Sequence, residues 1–254
     1  MNILFTICGR AGSKGFKNKN LKTLMNCSLV YYTLAVIKMY QKQHAEHQIY
    51  SVINTDSDDL ADLVSRQNKI SVLTVNRAPD LAGDDAPKVS VIADCLSRAE
   101  SAMNVTFQLV VDLDITSPLR TLDDVERAID KKITRPDTDV VYSVTGSRRN
   151  PYFNMVKEEN GFFVKAVSSD FTARQQAPVM YDMNASIYAY SPDALRTKPA
   201  KGFFNDKAYA VIMKDTAVLD IDSEEDFELM QVIAGHLLKT YPAFREVYEE
   251  ARRF

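Results

Sequence analysis

The stretch NILFTICGRAGSKGFKNKN, residues 2–20, decides the fold because a loop rich in glycine and basic residues follows directly on an apolar run. The apolar run Asn2–Cys8 predicts a buried β-strand. In the loop 9–15, glycines allow the backbone to approach an anion, and Arg10 and Lys14 supply positive charge around it. The spacing is neither Gly-x-Gly-x-x-Gly nor that of a Walker loop, which disfavours a dinucleotide oxidoreductase and a P-loop ATPase. A phosphate-binding loop is favoured over a solvated turn.

Strands and helices alternate along the chain beyond this loop. Periodicity predicts further strands at 49–53, 71–75, 107–113, 139–145, 208–213 and 217–221. It predicts helices at 29–42, 58–67, 88–102, 121–132 and 223–239, and another from residue 242. This order implies an α/β fold with a mostly parallel sheet and right-handed crossovers, whose ligands bind at the carboxyl ends of the strands.

The alternation is interrupted between about residues 146 and 204. This segment contains four prolines, the pair Arg148-Arg149 and short β-like runs at 162–167 and 186–190. We interpret it as a small inserted lobe. The chain 1–254 is then one domain, with a core formed by 1–145 and 205–254 and the lobe about 146–204.

Composition and charge exclude several functional classes. With 254 residues, 46% of them hydrophobic and 26% charged, the chain is large enough to bury a sizeable core. The net charge of −3 argues against a nucleic-acid partner, and the apolar runs are too short for a membrane span. Three scattered cysteines match neither a zinc site nor a disulfide scaffold, and no leader pattern opens the sequence as given. We therefore expect a cytoplasmic protein without nucleic-acid or membrane partners.

Two pairs of acids follow predicted strands. Asp112 and Asp114, like Asp220 and Asp222, are two residues apart, so each pair shares one face of an extended backbone. Magnesium prefers one or two carboxylates together with phosphate oxygens and water. The alternatives are that the first segment only turns the chain while its arginine pairs with a nearby acid, and that Asp222 or Ser223 caps a helix. With the glycine loop, the acid pairs favour Mg²⁺–nucleotide chemistry.

Five motifs carry a resemblance that extends over nearly the whole chain. They are RAGSKG at 10–15 with NKN at 18–20, RAPDLA at 77–82, TSPLR at 116–120, NASIY at 184–188 and DID at 220–222. In order and spacing the chain resembles the acylneuraminate cytidylyltransferases, also called CMP-sialic acid synthetases.

The resemblance implies a Rossmann-like nucleotide-diphospho-sugar transferase fold and a transfer of CMP from CTP to the anomeric hydroxyl of a nine-carbon ulosonic acid. Pyrophosphate is released and Mg²⁺ is required. It also implies a homodimer, in which the irregular lobe of one chain completes the sugar site of its partner. According to the resemblance, the catalytic residues are Arg10, Lys14 and Asp222, and the magnesium ligands are Asp220 and Asp222. The nucleotide-binding residues are Arg10, Gly12, Ser13, Lys14, Lys19, Asn20 and, on the cytosine, Arg77. The sugar-binding residues are Asp114, Thr116, Ser117, Arg174, Asn184, Phe203 and Phe204.

Three departures from the family pattern all lie on the sugar side. Asp114 replaces a sugar-contacting amide, Phe153 replaces a lysine frequent in sialic-acid enzymes, and the segment 182–185 reads DMNA where the family has RPNG. The acceptor expected is thus a relative of sialic acid, such as legionaminic or pseudaminic acid. The alternatives are a cytidylyltransferase for the eight-carbon acid Kdo, which typically shows QGDEP where this chain has DITSP, and a non-catalytic nucleotide-binding regulator.

Overall fold

A seven-stranded sheet lies at the centre of the molecule. The computed structural model describes residues 1–12, 15–83, 85–198, 203–204, 207–216 and 220–254. Its strands are β1 (Asn2–Cys8), β2 (Thr23–Leu24), β3 (Cys27–Ser28), β4 (Gln48–Thr55), β5 (Leu73–Asn76), β6 (Leu109–Leu113), β7 (Val140–Gly146), β8 (Val156–Glu159), β9 (Phe162–Lys165), β10 (Tyr181–Tyr190) and β11 (Ala208–Ile212). Its helices are α1 (Leu29–Gln43), α2 (Asp58–Ser65), α3 (Lys88–Met103), α4 (Leu122–Thr134), α5 (Pro192–Thr197), α6 (Glu224–Thr240) and α7 (Pro242–Ala251).

The central sheet is mostly parallel, as predicted. Its strand order is β11-β7-β10-β6-β1-β4-β5. β1 pairs in parallel with β4 and β6, and β7 pairs in parallel with β11. Only β10, among the strands of this sheet in the described residues, runs antiparallel to its neighbours, which are β6 and β7. The carboxyl ends of β1, β4 and β6 therefore meet at one edge, where the predicted site residues follow them.

Helices cover both faces of the sheet, which explains why the strands read as continuous apolar runs. Ile3, Phe5 and Ile7 of β1 point into a core shared with α1, α4, α6 and α7. Leu4, between them, points into a second core built with α3 and α5. Side chains alternate across the sheet with a period of two, so a strand buried on both faces needs apolar residues at every position.

Helix starts agree with the predicted caps. The Thr121 hydroxyl accepts from Asp124 N at the start of α4, and the Ser223 hydroxyl accepts from Asp226 N at the start of α6. In both cases the aspartate accepts in return from the backbone N–H of the cap residue. Ser223 rather than Asp222 is thus the cap of α6, which leaves the Asp222 carboxylate available for other contacts.

Within the range 146–204, the segment 147–180 carries the β8–β9 hairpin outside the central sheet, and we refer to this segment as the lobe. Strand β10 follows it and pairs in the central sheet. The strand is interrupted at Ala185, whose φ of 52° accompanies a register shift between Met183 and Tyr188. This bulge breaks the alternation, which is why only 186–190 has a strand-like pattern in the sequence.

The strand predicted at 217–221 is described only in part. Residues 217–219 lie outside the described residues, and Asp220 and Ile221 are not in a strand.

Across the parts of the chain that the structure describes, no helix combines the length and apolarity needed to cross a bilayer.

Candidate active site

A cleft of about 190 Å³ opens at the carboxyl ends of the parallel strands. Half of the predicted site residues that the structure describes line it: Arg10, Lys19, Asn20, Arg77, Asp114, Thr116 and Asp220. A larger groove of about 490 Å³ lies between α1 and α7 but contains none of the predicted site residues. Position at the strand ends, rather than volume, identifies the site.

Hydrogen bonds connect the glycine loop to the segment after β4 and to the segment that follows the loop itself. Ala11 N donates to Asp56 Oδ1 at 2.7 Å, and Asn20 Nδ2 donates to the Arg10 carbonyl at 3.1 Å. Gly12 has a φ of +70°, and a Cβ on Gly15 would lie 2.5 Å from the carbonyl oxygen of Asp222. Glycine is therefore needed at Gly12 for the backbone conformation and at Gly15 for close packing. The predicted triphosphate ligands Ser13 and Lys14 lie outside the described residues.

Lys19 connects this loop to the second acid pair. Its ammonium donates to the Ile221 carbonyl at 2.9 Å and to Asp222 Oδ1 at 2.6 Å. Ile221 N in turn donates to the Thr116 carbonyl at 3.1 Å, which fixes the acid segment beside the end of β6. Residues that are 200 positions apart in the sequence thus meet at one edge of the sheet.

The Asp220 carboxylate lies close to other acids. Burial, together with the charges of Asp222 and Asp114, raises its pKa to about 6 from the usual 3.8, and Lys19 opposes the shift. Within the described ranges, no residue donates a hydrogen bond to this carboxylate. No group of three or more potential metal ligands occurs among those residues either. Two carboxylates beside the glycine loop would suit Mg²⁺, which takes one or two protein carboxylates together with phosphate oxygens and water.

Arg77 lies on the opposite wall of the cleft, after β5. It is 7% exposed. Its Nε donates to Asn54 Oδ1 at 2.8 Å, and one terminal nitrogen donates to the Asn54 carbonyl at 3.1 Å. A guanidinium has five N–H donors, so this anchoring leaves donors for a ligand.

The first acid pair converges on a lysine of the chain. Asp112 is fully buried, accepts from the Thr6 hydroxyl at 2.8 Å and lies 2.8 Å from the Lys88 ammonium. Asp114 accepts from the backbone N–H and hydroxyl of Thr116 at 2.8 and 2.7 Å, and from Lys88 at 2.5 Å. Burial would raise the pKa of Asp114, but Lys88 and Thr116 outweigh it and hold that pKa well below its usual range. Both acids meet at Lys88.

Arg120 stabilises the turn behind this network without pairing with an acid side chain. Its guanidinium donates to the Asp114 and Ser186 carbonyls and to the Thr33 hydroxyl. Complete burial lowers its pKa to about 10, although nearby acids oppose the shift. The alternative of an arginine–carboxylate pair in this segment is therefore wrong, because buried backbone carbonyls take up the donors instead.

Lys88 is the site residue that the sequence analysis missed. It is the first residue of α3, which has no acid in its first turn. A cation at a helix N-terminus is unfavourable, and that mismatch is the signal by which it could have been found. Burial would lower its pKa, but Asp112 and Asp114 raise it well above the usual value, so Lys88 stays protonated.

Other predicted sugar-side residues lie deeper. Asn184 is buried, accepts from the Ser143 hydroxyl at 2.6 Å through Oδ1, and accepts from the Ser117 hydroxyl at 3.1 Å through its carbonyl. Phe203 is fully buried against Tyr190 in the second core. These side chains support the floor of the site and do not line the cleft.

Two predicted residues are exposed. Phe204 is 39% exposed and its ring contacts those of Tyr142 and Tyr188 edge-on, with centroids 5.4 and 6.2 Å apart. Arg174 lies on the lobe, where it donates to the Arg148 carbonyl at 3.0 Å. The structure of one chain thus brings Phe204 to the Tyr188 side of the site, whereas Arg174 remains on the lobe.

The sequence of the chain matches a known family over most of its length. A family model described as cytidylyltransferase covers residues 4–235. The chain belongs to the cytidylyltransferase family. It is therefore an enzyme that transfers nucleotidyl groups, and the predicted resemblance is confirmed.

The chain is also similar in sequence to individual proteins with curated names. The chain is 35% identical to a CMP-N,N'-diacetyllegionaminic acid synthase of Campylobacter jejuni, covering 91% of this chain and 94% of that protein. It is 34% identical, with the same coverage, to a post-translational flagellin modification protein B of Campylobacter coli. An N-acylneuraminate cytidylyltransferase of Streptococcus agalactiae is 31% identical over 97% of this cytidylyltransferase but only 55% of the relative.

Solved structures confirm the fold. A CMP:2-keto-3-deoxy-manno-octonic acid synthetase complexed with CTP superposes with a TM-score of 0.61 at 13% identity, covering 93% of this chain and 99% of that one. A 4-diphosphocytidyl-2C-methyl-D-erythritol synthase from Anaerococcus prevotii gives a TM-score of 0.58 at 13% identity, covering 91% and 94%. The cytidylyltransferase has the predicted α/β nucleotidyltransferase architecture.

Proposed function

We propose that this cytidylyltransferase transfers CMP from CTP to the anomeric hydroxyl of a nine-carbon ulosonic acid of the legionaminic acid type. The observation that carries the proposal is the match to a CMP-N,N'-diacetyllegionaminic acid synthase over 91% of this chain and 94% of that protein. The three sequence departures on the acceptor side support an acid other than sialic acid itself.

In the reaction, the anomeric oxygen of the acid forms a bond to the α-phosphorus of CTP. The bond from that phosphorus to the bridging α,β-oxygen breaks, pyrophosphate leaves, and the hydroxyl proton is released. The reaction needs no enzyme nucleophile, so positioning and charge stabilisation carry the rate. Arg10 and Lys19, at the glycine-loop side of the cleft, suit the triphosphate, and the anchored Arg77 suits the base. Gly12, Ser13, Lys14 and Asn20 are proposed nucleotide contacts on the family motif.

We propose Asp220 and Asp222 as the residues that would hold Mg²⁺. The raised pKa of Asp220, which burial and two neighbouring acids cause, supports this assignment. When bound, the ion would supply positive charge to phosphate oxygens. Lys19, which already contacts Asp222, would keep the acid segment against the glycine loop.

The proposed acceptor residues fall into two groups. Asp114 and Thr116 line the cleft, and Phe204 offers an exposed ring beside Tyr188. The second group does not line the cleft. Ser117, Asn184 and Phe203 would stabilise β10 and the turn after β6 instead. Arg174 would reach the acceptor site of a partner subunit from the lobe.

A homodimer would account for the apolar surface of the lobe. Phe162 and Phe163 are each 73% exposed, and Val179 is 76% exposed. Several large exposed apolar side chains on one segment are typical of a surface that binds another protein. A second copy of this chain fits the proposed sharing of acceptor sites between subunits.

We also propose a cytoplasmic location, without nucleic-acid or membrane partners. The cysteines Cys8, Cys27 and Cys95 are free, and two of them are buried. Free buried thiols are typical of proteins from a reducing compartment. The net charge of −3 supports the absence of a nucleic-acid partner.

Pyrophosphate release tests the reaction and the acceptor together. The purified protein is given CTP and Mg²⁺ with N,N'-diacetyllegionaminic, pseudaminic, sialic or Kdo acid in separate reactions. Release with the legionaminic acid, and a kcat/KM about tenfold or more above that for sialic acid, is expected. Release with Kdo alone would overturn the nine-carbon assignment, and CTP binding without release in any reaction would favour a regulator.

A further inference from the structure

Lys88 is held in the cleft by two acids, and its role goes beyond the family motif. Its ammonium lies 2.8 Å from Asp112 Oδ2 and 2.5 Å from Asp114 Oδ2. The Asp112 and Asp114 side chains are 0% and 17% exposed, and that of Lys88 is 34% exposed. A lysine ammonium has three N–H donors, so two contacts leave a third for a ligand in the cleft that Lys88 lines.

The position of Lys88 is costly for the fold. It opens α3, where the N-terminal end of the helix repels a cation, and no acid of the first turn compensates. Asp112 and Asp114 compensate instead, and both are desolvated at the end of β6. Apolar residues commonly replace a buried charge cluster without loss of stability. A cation kept there against these contributions indicates that the charge is used.

Asp114 is occupied by protein donors. One of its oxygens accepts from Thr116 twice, and the other accepts from Lys88. An ionised carboxylate has about four acceptor positions, so these three contacts use most of them and hold Asp114 against Lys88.

The location of Lys88 separates it from the base-recognition wall. In the sheet, β6 and β10 lie on one side of β1, whereas β4 and β5, which position Arg77, lie on the other. The Lys88 ammonium is beside β6 and 5.6 Å from the ring centroid of Tyr188 on β10. Tyr188 in turn contacts Phe204. Lys88 thus faces the half of the cleft opposite to the predicted cytosine contact.

We propose that Lys88 binds the carboxylate of the acceptor acid, and that Asp112 and Asp114 are positioning residues that aim its ammonium. This inference rests on the proposed function and deepens it, because it makes Lys88 a determinant of selectivity for acidic sugars. The chemistry recognised is an anionic oxygen, which the acceptor carboxylate or a CTP phosphate could supply. The test separates the two sources.

The first experiment compares the wild type with Lys88→Met in steady-state pyrophosphate release, and varies each substrate in turn. We expect the KM for the acid to rise about 10- to 100-fold, as for loss of one charge-assisted hydrogen bond, while the KM for CTP stays within about twofold. Lys69→Met, at an exposed lysine outside the cleft, is the matched control and should leave both values unchanged. A rise in the KM for CTP alone would assign Lys88 to a phosphate and overturn the proposal.

The second experiment repeats the comparison with an acceptor whose carboxylate is converted to a carboxamide. If Lys88 binds the carboxylate, the wild type should have a KM for the carboxamide that is raised about as much as the KM of Lys88→Met for the acid. The variant should show no further rise in KM with the carboxamide. Additive rises in KM would show that the two groups do not meet, which contradicts the proposal.

Removal of Lys88 leaves Asp112 and Asp114 without the cation that they share, so the variant Lys88→Met/Asp114→Asn guards against misfolding. It should have the same high KM for the acid and a normal KM for CTP, and Asp114→Asn alone should raise the KM for the acid by a smaller factor. Wild-type KM values in the double variant would overturn the inference alone. Absence of wild-type release with every acid would overturn the proposed function and this inference with it.

Discussion

At the scale of single residues, charge state distinguishes the acids of the cleft more clearly than position does. Asp114 is held ionised by Lys88 and Thr116, and its pKa lies well below the usual range. Asp220 has no such partner among the described residues, and burial with two neighbouring acids raises its pKa to about 6. The sequence presents both as members of i, i+2 pairs. Only the partners assign Asp114 to positioning and leave Asp220 suited to a cation.

The metal assignment predicts a specific kinetic defect for Asp222→Asn. Loss of one of two carboxylate ligands should lower kcat about 10²- to 10³-fold at ordinary Mg²⁺ and shift the Mg²⁺ dependence to higher concentration. The Mg²⁺ titration of pyrophosphate release measures both effects. Asp62→Asn, at an exposed acid of α2, should titrate like the wild type. An unshifted Mg²⁺ dependence in Asp222→Asn would show that the acid serves only to hold Lys19.

At the scale of elements, a histidine connects the end of α1 to α4. His44 is the C-cap of α1, and its Nε2 lies 2.8 Å from Glu126 Oε1 of α4. Its Nδ1 lies 3.1 Å from Glu46 Oε1. Burial would lower the pKa of His44, but the two glutamates outweigh it and raise that pKa above 6.5. The protonated ring also lies at the carbonyl end of α1, where a cation is favoured.

This contact makes the free energy of unfolding depend on pH. The pKa of His44 is higher in the folded state than in the unfolded state, so its stabilisation is complete below pH 6.5 and is lost as pH rises through the folded pKa. His44→Gln should be about 0.5–1 kcal/mol less stable than the wild type at low pH, with a smaller difference at high pH. Urea unfolding at about pH 5.5 and about pH 8.5 measures this change. His236→Gln is the control, because it keeps His44 and both glutamates, and its free energy of unfolding should follow the pH dependence of the wild type.

The elements differ in how far local sequence determines them. Helices α4 and α6 begin at capping boxes that can be recognised from four residues, and β1 and β6 are recognisable as apolar runs. Strand β10 was recognised only in part, because its bulge at Ala185 interrupts the alternation and its partners β6 and β7 are distant in sequence. The contacts of Lys88 could not be predicted either, because its acid partners are also distant in sequence. A lysine at the start of a helix has no local pattern that shows which acids it contacts.

At the scale of the whole molecule, the predicted nucleotide contacts and the predicted acceptor contact Arg174 lie on different parts of the chain. The glycine loop, Lys19 and the second acid pair meet within one subunit through hydrogen bonds. Arg174 lies on the lobe and does not line the cleft of its own chain. A dimer in which lobes are exchanged would bring the two parts together, and it would also cover the exposed ring of Phe162.

Shared sites predict that two inactive variants can restore activity to each other. Asp222→Asn removes a metal ligand from the core, and Arg174→Ala removes an acceptor contact from the lobe. If each site combines the core of one subunit with the lobe of its partner, half of the dimers in an equal mixture are heterodimers, and each has one intact site. Activity should then recover to about a quarter of the wild-type value after subunit exchange.

The same arrangement predicts that a charged lobe surface separates the subunits without unfolding them. Phe162→Asp/Phe163→Asp should give a monomer by light scattering and lower the kcat/KM for the acid about 10²-fold or more, because the partner's lobe no longer reaches the cleft. The variant monomer should keep the circular dichroism spectrum of a folded protein, since both rings are 73% exposed in the single chain. Val232→Asp, at a residue of α6 that is 72% exposed, should remain a dimer with normal kinetics. A fully active monomer, or a mixture of Asp222→Asn and Arg174→Ala without recovery, would mean that each chain completes its own acceptor site.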